Sequence, residues 1–308
     1  MQKKQKSWSF NNQLLSVYLN LKQMKHILVT GSNGQLGNEI ARLVPLYPDS
    51  KFYFTDIKEL DLTSVESIKS YFDKHSFDVI INCAAYTAVD KAEDEYEICE
   101  MINSQSVRYL AEAAQKSGAK LVHVSTDYVF DGKSYRPYTE SDPVSPVSVY
   151  GKTKADGESN ALKFCDHTLV IRTSWLYSEF GNNFVKTMLR LGNERAQLSV
   201  VADQIGTPTY AADLAQTILC IVHHDLFVSG IFHYSNEGVS SWYDFTKAIH
   251  RLGGITTCQV LPIHTDQYPT KAIRPYYSVL DKKKIKATYG VDIPHWEESL
   301  ARCIERLK

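Results

Sequence analysis

Tyr150 and Lys154 stand four residues apart in the run Ser148-Val-Tyr-Gly-Lys-Thr-Lys154. On a helix that spacing puts both side chains on one face. A phenol titrates at about pH 10 and is a poor acid at neutrality. An ammonium held beside it is expected to lower that value and ease proton transfer to a reacting oxygen. Two common residues at one helical spacing also arise by chance, so the pair gains its weight from its company. Upstream, the apolar run Leu121-Val-His-Val ends in Ser125-Thr126-Asp127-Tyr128, a row of hydroxyls and a carboxylate. Ser125 and Thr126 can satisfy backbone groups at a strand end. Near the start stands Thr30-Gly31-Ser-Asn33-Gly34-Gln35-Leu36-Gly37.

These residues need elements to hold them. Short, nearly continuous apolar runs at 27–30, 52–55, 79–82, 121–125 and 169–172 read as strands buried on both faces. Helical patterns at 35–43, 65–75, 98–117 and 148–164 alternate with them. That alternation predicts an α/β fold, a doubly wound parallel sheet of Rossmann type. Beyond Arg172 the helical patterns at 183–191, 211–224, 242–252 and 296–307 are separated by loops rich in proline and glycine. The expected division is an N-terminal extension at 1–23, a dinucleotide domain at 24–173 and a mainly substrate-binding lobe at 174–308, part of 205–235 returning to the sheet. Residues 1–23 are expected to have no catalytic part.

The glycines follow a predicted strand and open a predicted helix. There they permit a tight turn and let a diphosphate reach backbone N–H groups at the positive end of the helix. Asp56 ends the second strand, where a carboxylate accepts bonds from ribose hydroxyls and disfavours a 2′-phosphate. Asp61 and Leu62 are expected to flank the adenine, although Asp61 also suits a helix N-cap region. Ala84, Ala85, Tyr86 and Thr87 follow the third strand, where small residues let a cofactor lie across the sheet edge.

Bulk properties narrow the classes. The chain has 308 residues and a net charge of −1, with no basic stripe to meet a nucleic acid. No apolar run approaches the roughly 18 residues of a membrane helix. Six cysteines lack any paired spacing and read as thiols in a reducing compartment, the cytoplasm. His223 and His224 point apart on a helix, and no zinc site is expected.

With these motifs in order, the chain resembles the extended short-chain dehydrogenases/reductases. The blocks from Ala85 to Glu93, from Ser125 to Gly132, Arg172-Thr-Ser-Trp175, Gly181-Asn-Asn-Phe184, Asp203-Gln-Ile-Gly-Thr-Pro-Thr209 and Tyr268-Pro-Thr270 with Arg274 are similar to the dTDP-4-dehydrorhamnose reductases within them. The resemblance implies reduction of the 4-keto group of dTDP-6-deoxy-L-lyxo-4-hexulose, giving dTDP-L-rhamnose for cell-surface polysaccharide. It implies Tyr150 as proton donor, with Thr126 bonding the substrate oxygen beside it, and Lys154 as its modulator and a ligand of the nicotinamide ribose. Thr126, Asp127, Trp175, Asn183, Gln204 and Arg274 would line the substrate side, with Asn103 nearer the cofactor. It points to NADPH, whereas Asp56 favours NADH, so use of both is expected. Family members that dimerise through magnesium place one glutamate after the glycine loop and a second after Gly-x-Pro-Thr. Glu39, expected on an exposed helix flank, fits the first position, but Ala212 occupies the second. A monomer or a metal-independent dimer is therefore expected. Two other classes remain: another nucleotide-sugar reductase or epimerase of this fold, and a non-catalytic subunit like the regulatory subunit of methionine adenosyltransferase.

Overall fold

The computed structural model describes residues 24–308; the extension at 1–23 lies outside them. Strands β1 (Lys25–Thr30), β2 (Ser50–Thr55), β3 (Val79–Asn82), β4 (Lys120–Thr126) and β5 (Thr168–Thr173) form one parallel sheet. A sixth strand, Gly230–His233, closes its edge beside β5. From that edge the order runs through β5, β4, β3 and β1 to β2. The direction of winding reverses between β1 and β3, which opens a crevice at their carboxyl ends.

Period-two alternation explains the two covered faces. Ile27, Val29, Val79 and Ile81 face one layer, formed by α1 (Gln35–Leu43) and the later helix Ala211–His223 with Leu214, Ile218 and Leu219. Leu28, Ile80 and Leu121 face the other, against α2 (Val65–Lys74), α3 (Ser106–Ser117) and α4 (Val149–Phe164). All seven strand residues are at most 1 % exposed, and each such buried aliphatic chain stabilises the fold by about 1.5–3 kcal/mol.

The helix expected over 98–117 is interrupted. A short helix Tyr96–Glu100 runs through a π-helical turn, Met101–Gln105, into α3. The turn lets Asn103 reach back to the chain after β3, where it accepts from Tyr86 N at 2.8 Å and donates to Tyr86 O at 3.1 Å.

A second core gathers α5 (Phe184–Glu194), Trp242–Gly253 and Trp296–Leu307 against the parallel pair Gln197–Val201 and Gln259–Ile263. The paired strands here and the helix Lys283–Tyr289 carry too little alternation to read from sequence. No helix among the described residues is long and apolar enough to cross a membrane.

Candidate active site

A cleft of about 810 Å3 opens along the carboxyl ends of β1, β3 and β4. Of the residues expected on the cofactor side, Gly31, Gly34, Gln35, Leu36, Asp56, Asp61, Leu62, Ala84, Ala85 and Thr87 line it. Gly31 has a φ of 63°, and a Cβ there would fall 2.6 Å from the Ala84 backbone, so only glycine lets β1 turn this close to β3. Gly34 begins α1 with no side-chain cap, leaving the first N–H groups of the helix to a ligand. Asp56 holds the loop: its carboxylate accepts from Asn33 N at 3.1 Å and Ile57 N at 2.9 Å. Asp61 accepts from Thr63 N and Oγ1, a turn that precedes the Ser64 cap of α2. Asn33, Gly37, Tyr86 and Asn103, also expected there, do not line it. The donor-rich loop, the glycine cradle and the buried, unpartnered Ser125 hydroxyl at the cleft fit a dinucleotide.

Tyr150 stands in the first turn of α4, which Ser148 caps by accepting from Gly151 N at 3.1 Å. A Cβ on Gly151 would lie 2.2 Å from the Tyr128 carbonyl oxygen, so glycine lets α4 start directly against the chain leaving β4. Tyr128 and Tyr150 meet edge to face, with centroids 5.5 Å apart. Thr126 reaches the Tyr150 phenol as well as donating to Asp127 Oδ1 at 3.0 Å and accepting from Tyr128 N at 3.2 Å. The backbone role of Thr126 and its place beside the phenol thus coexist.

Lys154 is 1 % exposed and donates to the Val124 carbonyl at 2.6 Å. Burial lowers its pKa to about 8. The expected lowering at Tyr150 is not found: burial raises the phenol, and only the Thr126 hydrogen bond pulls the other way. The reason is desolvation, which outweighs an ammonium already committed to a carbonyl. Asp127 is pushed up to about 6 by burial, against hydrogen bonds from Ser278 and Thr126.

On the substrate side Thr126, Asp127, Trp175 and Asn183 line the cleft. The Asn183 amide is already committed: it donates to Ser178 O at 2.6 Å and Gln35 Oε1 at 3.0 Å, and caps α5 through Lys186 N. Gln204 lies outside the lining and donates to Thr265 Oγ1 at 3.2 Å. Arg274 also lies outside it, paired with Asp90 at 2.6 and 3.0 Å. Tyr128, Ser174, Asn182, Phe184 and Trp242 line the cleft without having been expected to. Trp242 follows a Ser-x-x-Asp capping pattern that marks a helix start, but nothing local aims it at this cleft.

Glu39 corrects an expectation. It is 1 % exposed, not on an open flank, because α1 turns it onto the segment after β5. Ser178 Oγ donates to it at 2.7 Å and Arg42 at 3.3 Å. Burial, and then the neighbouring Glu179 carboxyl, raise its pKa. Arg42 and Tyr210 donate to Glu179 at 2.8 and 2.9 Å. Asp213, beside Ala212, is buried against Arg302 at 2.7 Å and Asn236 at 2.8 Å. These donors do not fit a magnesium ion: their oxygens are spent on protein partners, and Ala212 supplies none. No group of three or more metal-ligating side chains occurs among the described residues.

The family model described as "RmlD substrate binding domain" matches residues 24–308. The dTDP-4-dehydrorhamnose reductase of Aggregatibacter actinomycetemcomitans is 42% identical over 90% of this chain and 97% of its own. The dTDP-4-keto-6-deoxy-D-glucose reductase of Streptomyces niveus is 37% identical over 91% and 96%. A Bacillus anthracis dTDP-4-dehydrorhamnose reductase solved in complex with NADP superposes with a TM-score of 0.88 at 40% identity, covering 92% of this chain and 99% of that one. With the glycine cradle, the Thr126–Tyr150–Lys154 corner and this breadth of similarity together, the chain belongs to the dTDP-4-dehydrorhamnose reductase family.

Proposed function

We propose that this protein reduces the 4-keto group of dTDP-4-dehydro-L-rhamnose to dTDP-L-rhamnose, with NADPH as the electron donor and NADH also accepted. The observation that carries the reading is the convergence of Tyr150, Thr126 and Lys154 at the sheet edge, beside a glycine cradle suited to a diphosphate. When bound, the reduced nicotinamide supplies a hydride to the sugar C4. The chain's own task is the proton. Burial keeps the Tyr150 phenol protonated at neutral pH, as a donor requires, and an alkoxide is a stronger base than a phenolate. Thr126 orients the carbonyl oxygen beside that phenol. Lys154, charged below about pH 8, offsets the phenolate left behind and would hold the nicotinamide ribose when the cofactor is bound.

Residues 24–173 then form the dinucleotide domain and 174–308 mainly the substrate lobe. Free thiols at all six cysteines suit the cytoplasm. A monomer or metal-independent dimer follows from the occupied Glu39 and Asp213 carboxylates.

The name of the Streptomyces niveus relative supports a second reading, the same reduction on dTDP-4-keto-6-deoxy-D-glucose. Loss of NADPH absorbance with each keto-sugar in turn separates them. Faster turnover of the L-lyxo sugar is expected. Turnover of the D-glucose-derived sugar alone would favour the second reading, and turnover of neither would reject both.

A further inference from the structure

Trp175 has a φ of 48°, and no other non-glycine among the described residues has a positive φ. A bulky side chain is unfavourable in that left-handed region and stays there only when its surroundings over-determine it. Two contacts do so. The indole stacks on Trp242 with centroids 3.6 Å apart and planes 10° from parallel. It also lies on Gly206, where a Cβ would fall 2.6 Å from the ring. Trp242 is itself fixed, sitting at the start of the helix Trp242–Gly253 behind the Ser241/Asp244 capping box, with Phe184 at 4.6 Å. Both indoles line the cleft that holds Thr126, Asp127 and Tyr150.

We propose that Trp242 is a positioning residue for sugar recognition. By stacking on Trp175 it holds that residue in its left-handed conformation, so that the Trp175 indole stands as the wall against which the apolar C–H side of the keto-sugar rests. The inference rests on the reductase reading above. A 6-deoxy sugar exposes a methyl group and ring C–H bonds, which suit an aromatic wall. Without the Trp242 ring the Trp175 backbone relaxes toward negative φ and the wall turns away from the cleft. A wall contact is made about equally in the ground and transition states, so its loss raises KM and spares kcat.

The test uses Trp242→Leu and Trp242→Phe in the full chain, with circular dichroism and steady-state kinetics. Stacked indoles give an exciton couplet, expected in the wild type and absent from both variants and from Trp175→Leu. KM for the keto-sugar is expected to rise about tenfold in Trp242→Leu and about threefold in Trp242→Phe, whose smaller ring keeps part of the contact, while kcat and the Kd for NADPH hold. A purely structural role would lower the active fraction, so kcat would fall at unchanged KM; that result overturns the inference. So does a Trp242→Leu KM within about threefold of wild type. Should Trp242→Leu not fold, the Phe variant decides by the same split, and an unmoved KM overturns the inference. A wild type that leaves NADPH unoxidised with the keto-sugars would instead defeat the reductase reading, and the sugar wall with it.

Discussion

At the scale of single residues, the site concentrates its burial costs on Tyr150 and Lys154. Tyr150→Phe deletes one hydroxyl with little change of volume, so kcat is expected to fall by about 10²-fold or more. Near-normal turnover in that variant, measured by NADPH oxidation, would remove Tyr150 as proton donor. Lys154 sets the alkaline behaviour. Its folded pKa is lowered from 10.5 to about 8, so the folded chain gives up this proton before the unfolded chain does. Between those values the unfolded state binds more protons, and the contribution of this group to stability rises with pH. Its contribution to activity has the opposite sign, since the ammonium is lost as pH rises through about 8. A descending limb of kcat/KM near that pH is the expected profile, and one that stays flat well beyond it would exclude Lys154 as a charged participant. On the proposed reading Asp56 sets the cofactor ratio. Asp56→Ala removes a carboxylate that repels a 2′-phosphate, so the NADPH/NADH ratio of kcat/KM should rise; an unchanged ratio would place Asp56 away from the ribose.

At the scale of elements, α4 carries the chemistry because of how closely it can begin against β4. Gly151 permits that approach, with the position of its missing Cβ only 2.2 Å from the Tyr128 carbonyl oxygen. Gly151→Ala must push the first turn of α4 away, and Tyr150 moves with it. The expected result is a loss of about 1–3 kcal/mol of stability from overpacking and a fall in kcat of about tenfold or more. Affinity for NADPH should change less, because the glycine cradle belongs to β1 and α1. Unfolding curves, turnover and NADPH titration on the same variant test all three, and a variant with unchanged kcat would show that α4 can slide without cost to the site.

Across the whole molecule, a cluster of charged and hydroxyl groups ties the first half to the C-terminal segments. Ser178 donates to both Glu39 of α1 and Glu179, and Glu179 is bonded by Arg42, Tyr210 and Arg306, the last from the helix Trp296–Leu307. The Glu39 and Glu179 oxygens in this cluster are engaged by protein partners and are not free for a carboxylate–magnesium bridge. Sedimentation velocity should therefore give one coefficient in magnesium and in EDTA, with activity retained in chelator. Dissociation on chelation would mean that a carboxylate outside this cluster holds the ion.

The sequence by itself determined the sheet and the cofactor edge, because these rest on local signals. Continuous apolar runs, such as Ile27–Val29 and Val79–Ile81, allow only strands buried on both faces, and glycines between a strand and a helix have few other uses. It also determined that Tyr150 and Lys154 turn to one side of α4, since four residues on a helix fix a shared face. Tertiary structure decided what depends on distant neighbours. Whether burial or an ammonium sets the Tyr150 pKa depends on how tightly β4 and α4 close around it. Whether Glu39 meets solvent depends on the segment after β5, and Arg274 meets Asp90 across 184 positions. The Trp175–Trp242 stack brings together a strand end and a helix start that no periodicity connects. A side chain's charge state and orientation are set by what folds against it, and in this chain those partners come from far along the sequence.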